Sequence, residues 1–326
     1  MRCIISNSSD PYYNLAAEEF FLKNSMEEFF MLYINTPCIV VGKHQNLLSE
    51  INLDFSRKHN IKLARRISGG GTVYQDANNL NFSFIHNCIN RELINFTRFT
   101  VPILEALKEL GLKAEFSSRN DILIEEKKIS GNAMHIYKNR VLSHGTLLFD
   151  SDLNSLSNAL KSNYDRYTDK SIKSVKSSVT NISNYLDPPV SIIDFTNNIF
   201  ACITKNEPDT RVETISDLEA IQISRISQEK YKTWNWIYGY SPKYKFRNSI
   251  NVLDYAIAYE LEVERGLIKG IELTITPSNW ELEQFILNNL INSQHDYDII
   301  EEKLKQISIK NSDITFMLSE FCKQLF

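Results

Sequence analysis

The run DILIEEKKISGNAMHIYKNRVLSHGTLLF at residues 121–149 contains three apolar-rich segments, 121–125, 128–137 and 141–149. Only Glu125-Glu126-Lys127 and Lys138-Asn139 separate them. Connections this short join antiparallel strands, because a parallel crossover needs a dozen residues or more. Working outward, residues 99–110 read as a helix ended by Gly111, and Asn81 and Ser83 alternate with Leu80, Phe82 and Phe84. That period of two belongs to a strand with one polar and one apolar face. Residues 29–34, 38–41 and 62–66 read as further strands, and 15–22, 56–60, 151–160 and 195–205 as helices. The pattern predicts an α+β fold: a mixed, largely antiparallel sheet with flanking helices, not a doubly wound parallel sheet.

Segment 161–181 is polar and basic, with Lys161, Arg166, Lys170, Lys173 and Lys176 against Asp165 and Asp169, and reads as an exposed loop. A domain boundary is expected near residue 247, after an aromatic and basic segment. It separates a large domain, 1–247, from a small α+β C-terminal domain, 248–326. In the latter, 250–264 and 267–275 read as strands about Glu264-Arg265-Gly266, and 280–290 and 298–307 as helices.

The chain has 326 residues, 43% hydrophobic and 23% charged, the balance of an ordinary globular protein. A formal net charge of -4 argues against a nucleic-acid partner. Cys3, Cys38, Cys88, Cys202 and Cys322 are scattered and unpaired in sequence, which disfavours zinc sites and disulfide frameworks. Asp10, Pro11 and Glu18 stand where a signal peptide would need an apolar run, and no uncharged stretch reaches membrane-spanning length. These features point to the cytoplasm and to no membrane partner.

Three of the chain's ten glycines stand together in Arg65-Arg66-Ile67-Ser68-Gly69-Gly70-Gly71-Thr72-Val73-Tyr74. Adjacent glycines let backbone amides approach a ligand with no Cβ in the way, and arginines bind phosphate or carboxylate bidentately. The segment reads as an anion pocket, the alternative being a tight turn beside solvated arginines. On an extended strand the arginines alternate, and Arg66, two before Ser68, points with it. Lys128 on a polar strand face beside Gly131 suits a charge that develops on a bound phosphate; the alternative is the end of the solvated run Glu125-Glu126-Lys127-Lys128. His144 beside Gly145 lines a pocket or is structural. Asn81 is a polar contact or a strand amide, and Asp121 orients Lys128, helps hold Mg2+ or caps a turn. Tyr33 reads as a core aromatic, and Lys173 and Lys176 as solvated charge.

Several segments occur in a fixed order. Asn14-Leu15-Ala16-Ala17-Glu18-Glu19 comes first, then Val41-Gly42-Lys43-His44-Gln45-Asn46. The arginine–glycine loop follows and runs through Asn78 into Asn79-Leu80-Asn81-Phe82. After it stand Arg119-Asn120-Asp121, Lys128-Ile129-Ser130-Gly131-Asn132-Ala133 and His144-Gly145-Thr146-Leu147-Leu148. Last are Ser174-Val175-Lys176-Ser177-Ser178-Val179-Thr180-Asn181 and Trp234-Asn235-Trp236. Together they resemble the lipoate–protein ligase family, of the ATP-dependent lipoate–protein ligase A type, over most of residues 12–240.

The resemblance implies a biotin/lipoate ligase-like large domain and an enzyme that uses ATP to convert lipoate or octanoate to the acyl-adenylate. It then passes the acyl group to a lysine of an acceptor domain. Mg2+ is the implied metal, with no ligands assigned. The implied partners are lipoyl domains of 2-oxoacid dehydrogenase E2 subunits and the glycine-cleavage H protein. The implied catalytic residue is Lys128. The implied nucleotide contacts are Arg66, Gly70, Gly71, Thr72, Val73, Tyr74, Asn81, Lys128, His144 and Gly145. The implied acyl contacts are Tyr33, as an aromatic wall, and Lys128, and Lys173 and Lys176 lie in a segment implied to close over the adenylate. Two departures bear on this. Asn78 replaces a usual glycine, which puts the turn in doubt, and Gln75 stands where some members have histidine. The other readings are a transferase using a preformed activated acyl group and a non-catalytic lipoyl-domain binder. No cysteine lies within the motifs, which disfavours a thioester route.

Overall fold

The computed structural model describes residues 1–88, 96–117, 121–207, 209–306 and 312–326. Arg119 and Asn120 of the lysine motif, and Ile307 at the expected end of a helix, lie outside the described residues. The chain divides into two units. The first comprises Met1–Lys43, Phe55–Leu160 and Ser174–Thr233. The second comprises His44–Asp54, Lys161–Lys173 and Trp234–Phe326.

The first unit is built on a six-stranded sheet. Its order is Asn132–Tyr137, Arg140–Leu148, Asn79–Asn87, Phe29–Ile34, Arg2–Ile5 and Arg211–Val212. Arg2–Ile5 is parallel to both of its neighbours, and every other pairing is antiparallel. The mixed, largely antiparallel sheet expected from residues 121–149 is therefore present.

Alternation along the strands decides which side chains meet which layer. Phe30, Leu32, Leu80, Phe82, Phe84, Val141 and Leu147 enter one core with Ile103 and Leu107 of the helix Phe96–Glu109 and Ile199 and Ile203 of the helix Ile192–Asn206. Phe30 and Phe84 stack at 4.7 Å. Each fully buried side chain of this size contributes about 1.5–3 kcal/mol, so this layer holds the sheet flat against its two helices. The residues between them face the helix Pro11–Asn24: Phe29 stacks on Phe21 at 4.4 Å, and Tyr33 reaches Glu18. Asp10 caps that helix by accepting from the Tyr12 amide, and Pro11 presets its first turn.

A small three-stranded sheet, ordered Lys62–Arg65, Cys38–Val41, Val73–Gln75, carries the arginine–glycine loop between its edges. Another joins Glu115–Phe116, Ile122–Ile124 and Lys127–Ser130. The single strand expected at 128–137 is thus two strands in two sheets, broken at Gly131. Glu125 and Glu126 both take positive φ, 50° and 61°. That is the geometry of a tight hairpin turn normally given to Asn or Gly.

The second unit has a four-stranded antiparallel sheet, Tyr167–Asp169, Tyr244–Val252, Tyr255–Glu264 and Leu267–Thr276. Helices Trp280–Leu290, Tyr297–Lys305 and Ser312–Gln324 complete it. Two expectations need correction. The run 250–264 is not one strand, because Leu253 turns at φ 52°. Segment 161–181 is not wholly exposed: Tyr167 is buried and pairs in the sheet, and the Asp169 side chain is fully covered.

Candidate functional site

The arginine–glycine loop is organised from beneath by its own arginines. Arg65 is fully buried and donates to the carbonyls of Gly42 and Lys43 at 3.0 and 3.3 Å, fixing the neighbouring loop. Arg66 donates through Nη2 to the carbonyls of Gly69 (2.6 Å) and Gly71 (2.7 Å), and through Nη1 to that of Val40 (3.0 Å). Its Nε donates to Ser68 Oγ at 3.0 Å. Arg66 does point with Ser68, as the alternation requires, but its guanidinium is spent largely on holding the loop's shape. Burial pulls its pKa down to about 10, against the opposing charge of Glu18, so it stays charged at neutral pH.

Gly70 adopts φ +86°, a conformation that L side chains rarely hold. A Cβ there would lie 3.0 Å from Arg66 Nη2 and 3.8 Å from Ala133 Cβ. A Cβ on Gly71 would meet Ser174 Oγ at 3.1 Å, and the Thr72 amide donates to that hydroxyl at 2.9 Å. Val73 and Tyr74 leave the loop as a strand paired with Val40 and Ile39. The Tyr74 ring is buried, which pushes its phenol up to about 12.

Lys128 stands at the mouth of the second small sheet, its Nζ 2.9 Å from Asp121 Oδ1. It folds over Gly131, whose added Cβ would lie 3.1 Å from both Lys128 Cε and Nζ. Two residues on, Ala133 is the neighbour of Gly70, so the lysine motif and the triple-glycine bend adjoin. One segment ties both. Ser174 meets the loop, and further along it Lys128 donates its amide to the Ser178 carbonyl (2.9 Å) while the Thr180 amide donates to the Lys128 carbonyl (3.1 Å). Of the lysines proposed to close over the site, Lys173 pairs with Asp169 at 2.9 Å.

Behind the loop runs a buried polar chain. Ser68 Oγ and His144 Nε2 are 2.6 Å apart, His144 Nδ1 and Glu18 Oε2 are 2.8 Å apart, and Tyr33 donates its hydroxyl to Glu18 Oε1 at 2.9 Å. Ser68, Glu18, Tyr33 and His144 are all buried, none more than 6% exposed. Burial first, then the Glu18 charge, raises the Tyr33 phenol well above its ordinary value, so it remains a hydrogen-bond donor.

Sequence reasoning selected Tyr33 and His144 but not Glu18 or Ser68. Two adjacent glutamates in an otherwise apolar helix were the available signal, with Asn14 and Glu18 on one face at i, i+4 spacing. Asn14 is itself buried and donates to Asn35 Oδ1 at 2.8 Å. Asn35 in turn donates to Gln75 Oε1 at 2.7 Å, so Gln75 has a structural partner.

Two candidates are occupied otherwise. Asn81 donates to the Tyr33 carbonyl (3.2 Å) and accepts from Asn79 (3.0 Å), which is the strand-amide alternative. A Cβ on Gly145 would collide with Asn132 Oδ1 and lie 2.6 Å from Phe82 Cζ, so this glycine admits core side chains. The doubt over Asn78 is removed: it is absent from the positive-φ positions, and its amide donates to Asp76 Oδ1 at 3.0 Å.

Among the described residues, no group of three His, Cys, Asp or Glu side chains could hold a metal ion. The described cysteines are free thiols, and no described helix is long and apolar enough to cross a membrane. What the site offers is a side-chain-free backbone bend, one ammonium group beside it and a strap over both. That arrangement suits an anionic phosphate ester with a polarised carbonyl.

Comparison with known proteins gives the same direction. Residues 10–204 match the lipoyl protein ligase A/B catalytic domain. Lipoate–protein ligase 1 of Staphylococcus aureus is 41% identical over 306 residues, 93% of each chain. A crystal structure of lipoate–protein ligase A bound with ATP superposes with a TM-score of 0.64 at 27% identity, covering 73% of this chain and 98% of that one. A bipartite lipoate protein ligase of Thermoplasma acidophilum, studied with its E2 lipoyl domain, gives 0.64 at 26%, covering 73% and 96%.

Proposed function

The chain belongs to the lipoyl protein ligase A/B family, and we propose that it is an ATP-dependent lipoate–protein ligase whose chemistry runs between Lys128 and the Gly69–Gly71 bend. It activates lipoate and transfers it to protein in two steps. The lipoate carboxylate attacks the α-phosphorus of ATP, the bond to the bridging oxygen breaks, and pyrophosphate leaves. The neutral ε-amine of an acceptor lysine then attacks the acyl carbonyl carbon, AMP departs with the bonding electron pair, and the nitrogen releases one proton to solvent to leave the amide.

The observation that carries this reading is the contact of the lysine motif with the glycine bend through Ala133 and Gly70. Backbone amides at Gly70, Gly71 and Thr72 cradle phosphate oxygens, and the Lys128 ammonium offsets charge that grows on the phosphoryl and carbonyl oxygens. Asp121 holds Lys128 in place until substrate arrives. Arg66 acts by keeping the bend in shape. Tyr33 and the face around it wall the acyl chain, and Val73 and Tyr74 flank the nucleotide. His144 stands behind the bend, against the Ser68 hydroxyl. Asn81 and Gly145 support the site by packing.

Mg2+ would accompany ATP on its phosphate oxygens. Among the described residues, no group of three His, Cys, Asp or Glu side chains forms a site of its own for the ion. The acceptors are lipoyl domains of 2-oxoacid dehydrogenase complexes and the glycine-cleavage H protein, met in the cytoplasm. The first unit carries the chemistry and the second is accessory.

Incubation with ATP, lipoate and an apo lipoyl domain tests this. Pyrophosphate and a lipoylated acceptor are both expected. Lipoylation only from supplied lipoyl-AMP would mark a transferase instead, and no modification under either condition would mark a binder.

A further inference from the structure

The chain from Glu18 to the glycine bend has two ends of fixed polarity. A carboxylate can only accept hydrogen bonds, and a guanidinium can only donate them. Between them stand His144 and Ser68, each able to do both. Glu18 Oε2 therefore requires a hydrogen on His144 Nδ1, 2.8 Å away. A neutral ring then presents a bare Nε2 to Ser68, and the 2.6 Å contact is filled by the serine hydroxyl donating. With its hydrogen committed there, Ser68 Oγ accepts from Arg66 Nε at 3.0 Å. Arg66 Nη2 is left to gather the Gly69 and Gly71 carbonyls at 2.6 and 2.7 Å.

We propose that Glu18 and His144 are positioning residues for adenylate formation: through Ser68 and Arg66 they set the orientation of the triple-glycine backbone that receives the nucleotide. The inference rests on the ligase reading, and it assigns a task to two residues that need not touch the nucleotide. A buried carboxylate and a buried guanidinium, bridged by two neutral groups, balance each other's charge without direct contact. The order of hydrogen bonds between them is the one that keeps both glycine carbonyls turned toward Arg66. Turning those carbonyls inward leaves the neighbouring amides facing outward, toward the ligand.

Two measurements on the full chain test it. The first is the imidazole tautomer of His144 in the unmodified protein, read by nitrogen-15 NMR with assignment among the six histidines. The hydrogen is expected on Nδ1 alone, and a ring protonated on Nε2 alone overturns the proposal. The second compares His144→Gln with His144→Leu in lipoate-dependent ATP–pyrophosphate exchange. Glutamine can still accept from Ser68 and donate to Glu18, whereas leucine does neither.

His144→Leu is expected to raise KM for ATP about tenfold, the scale of one lost buried hydrogen bond, with His144→Gln within about threefold of the parent. Parent-like exchange by His144→Leu overturns the proposal. So does His144→Gln as impaired as His144→Leu when both melt as the parent does. Absence of exchange in the unmodified protein would instead overturn the ligase reading, and the tautomer would still report on the hydrogen-bond order.

Discussion

The Thr72 amide donates to Ser174 Oγ at 2.9 Å, so a backbone donor of the glycine bend is held by a hydroxyl from the segment that also grips the Lys128 strand. A serine hydroxyl there occupies the direction from which a phosphate oxygen would be expected. Ser174→Ala should therefore tighten binding of a stable acyl-adenylate analogue by about threefold to tenfold, the range of one net hydrogen bond. Titration calorimetry reads this directly, and weaker binding would mean that Ser174 supports the ligand instead of standing in for it.

Gly70→Val should damage both stability and nucleotide binding. Positive φ in a β-branched residue costs roughly 1–3 kcal/mol, and the new side chain would crowd Arg66 Nη2, 3.0 Å from the added Cβ. A lowered melting temperature with no detectable analogue binding is expected. Undiminished affinity would show that the ligand does not use this bend.

Gly145→Ala separates packing from ligand contact. The added carbon meets Asn132 Oδ1 and the Phe82 ring, an overpacking that typically costs 1–3 kcal/mol, roughly. Chemical denaturation should show that loss with or without nucleotide. A loss confined to the nucleotide-bound protein would restore Gly145 to the ligand-binding surface.

How much of this was legible beforehand varies with the physical signal. The antiparallel sheet could be read because Lys138-Asn139 leaves no room for a crossover. The loop could be read because three glycines in a row are rare in a chain of ten. The break at Gly131 was hidden, since apolar periodicity does not say when a strand changes sheets. The role of Arg66 was half legible: alternation gave its direction, but four hydrogen bonds to its own loop and one to the Val40 carbonyl depend on a fold no local pattern encodes. Gly145 looked like room for a ligand because sequence shows a missing side chain without showing what fills the space. Glu18 went unassigned because its partner His144 is distant in sequence and meets it only where the helix Pro11–Asn24 packs on the sheet.

The second unit should lose stability in mild acid. His295 is fully buried, its Nδ1 2.7 Å from the Tyr244 hydroxyl and its Nε2 2.6 Å from the Leu325 carbonyl. Burial pulls its pKa down from 6.5 to about 4. A histidine kept neutral by folding contributes stability above its unfolded pKa, and that contribution is lost as pH falls from 6.5 toward 4. His295→Gln should be less stable at pH 7 and show a flatter profile across that window. An unchanged profile would place the acid sensitivity elsewhere.

Lipoate-dependent ATP–pyrophosphate exchange by Lys128→Ala, beside the parent protein and with matched melting curves, addresses the chemistry itself. Lys128 lies 2.9 Å from Asp121 and over Gly131, and loss of its ammonium should slow exchange by roughly a hundredfold or more, as removal of a charge-stabilising donor does. Exchange at the parent rate by a folded Lys128→Ala protein would contradict the placement of the reaction between that lysine and the glycine bend.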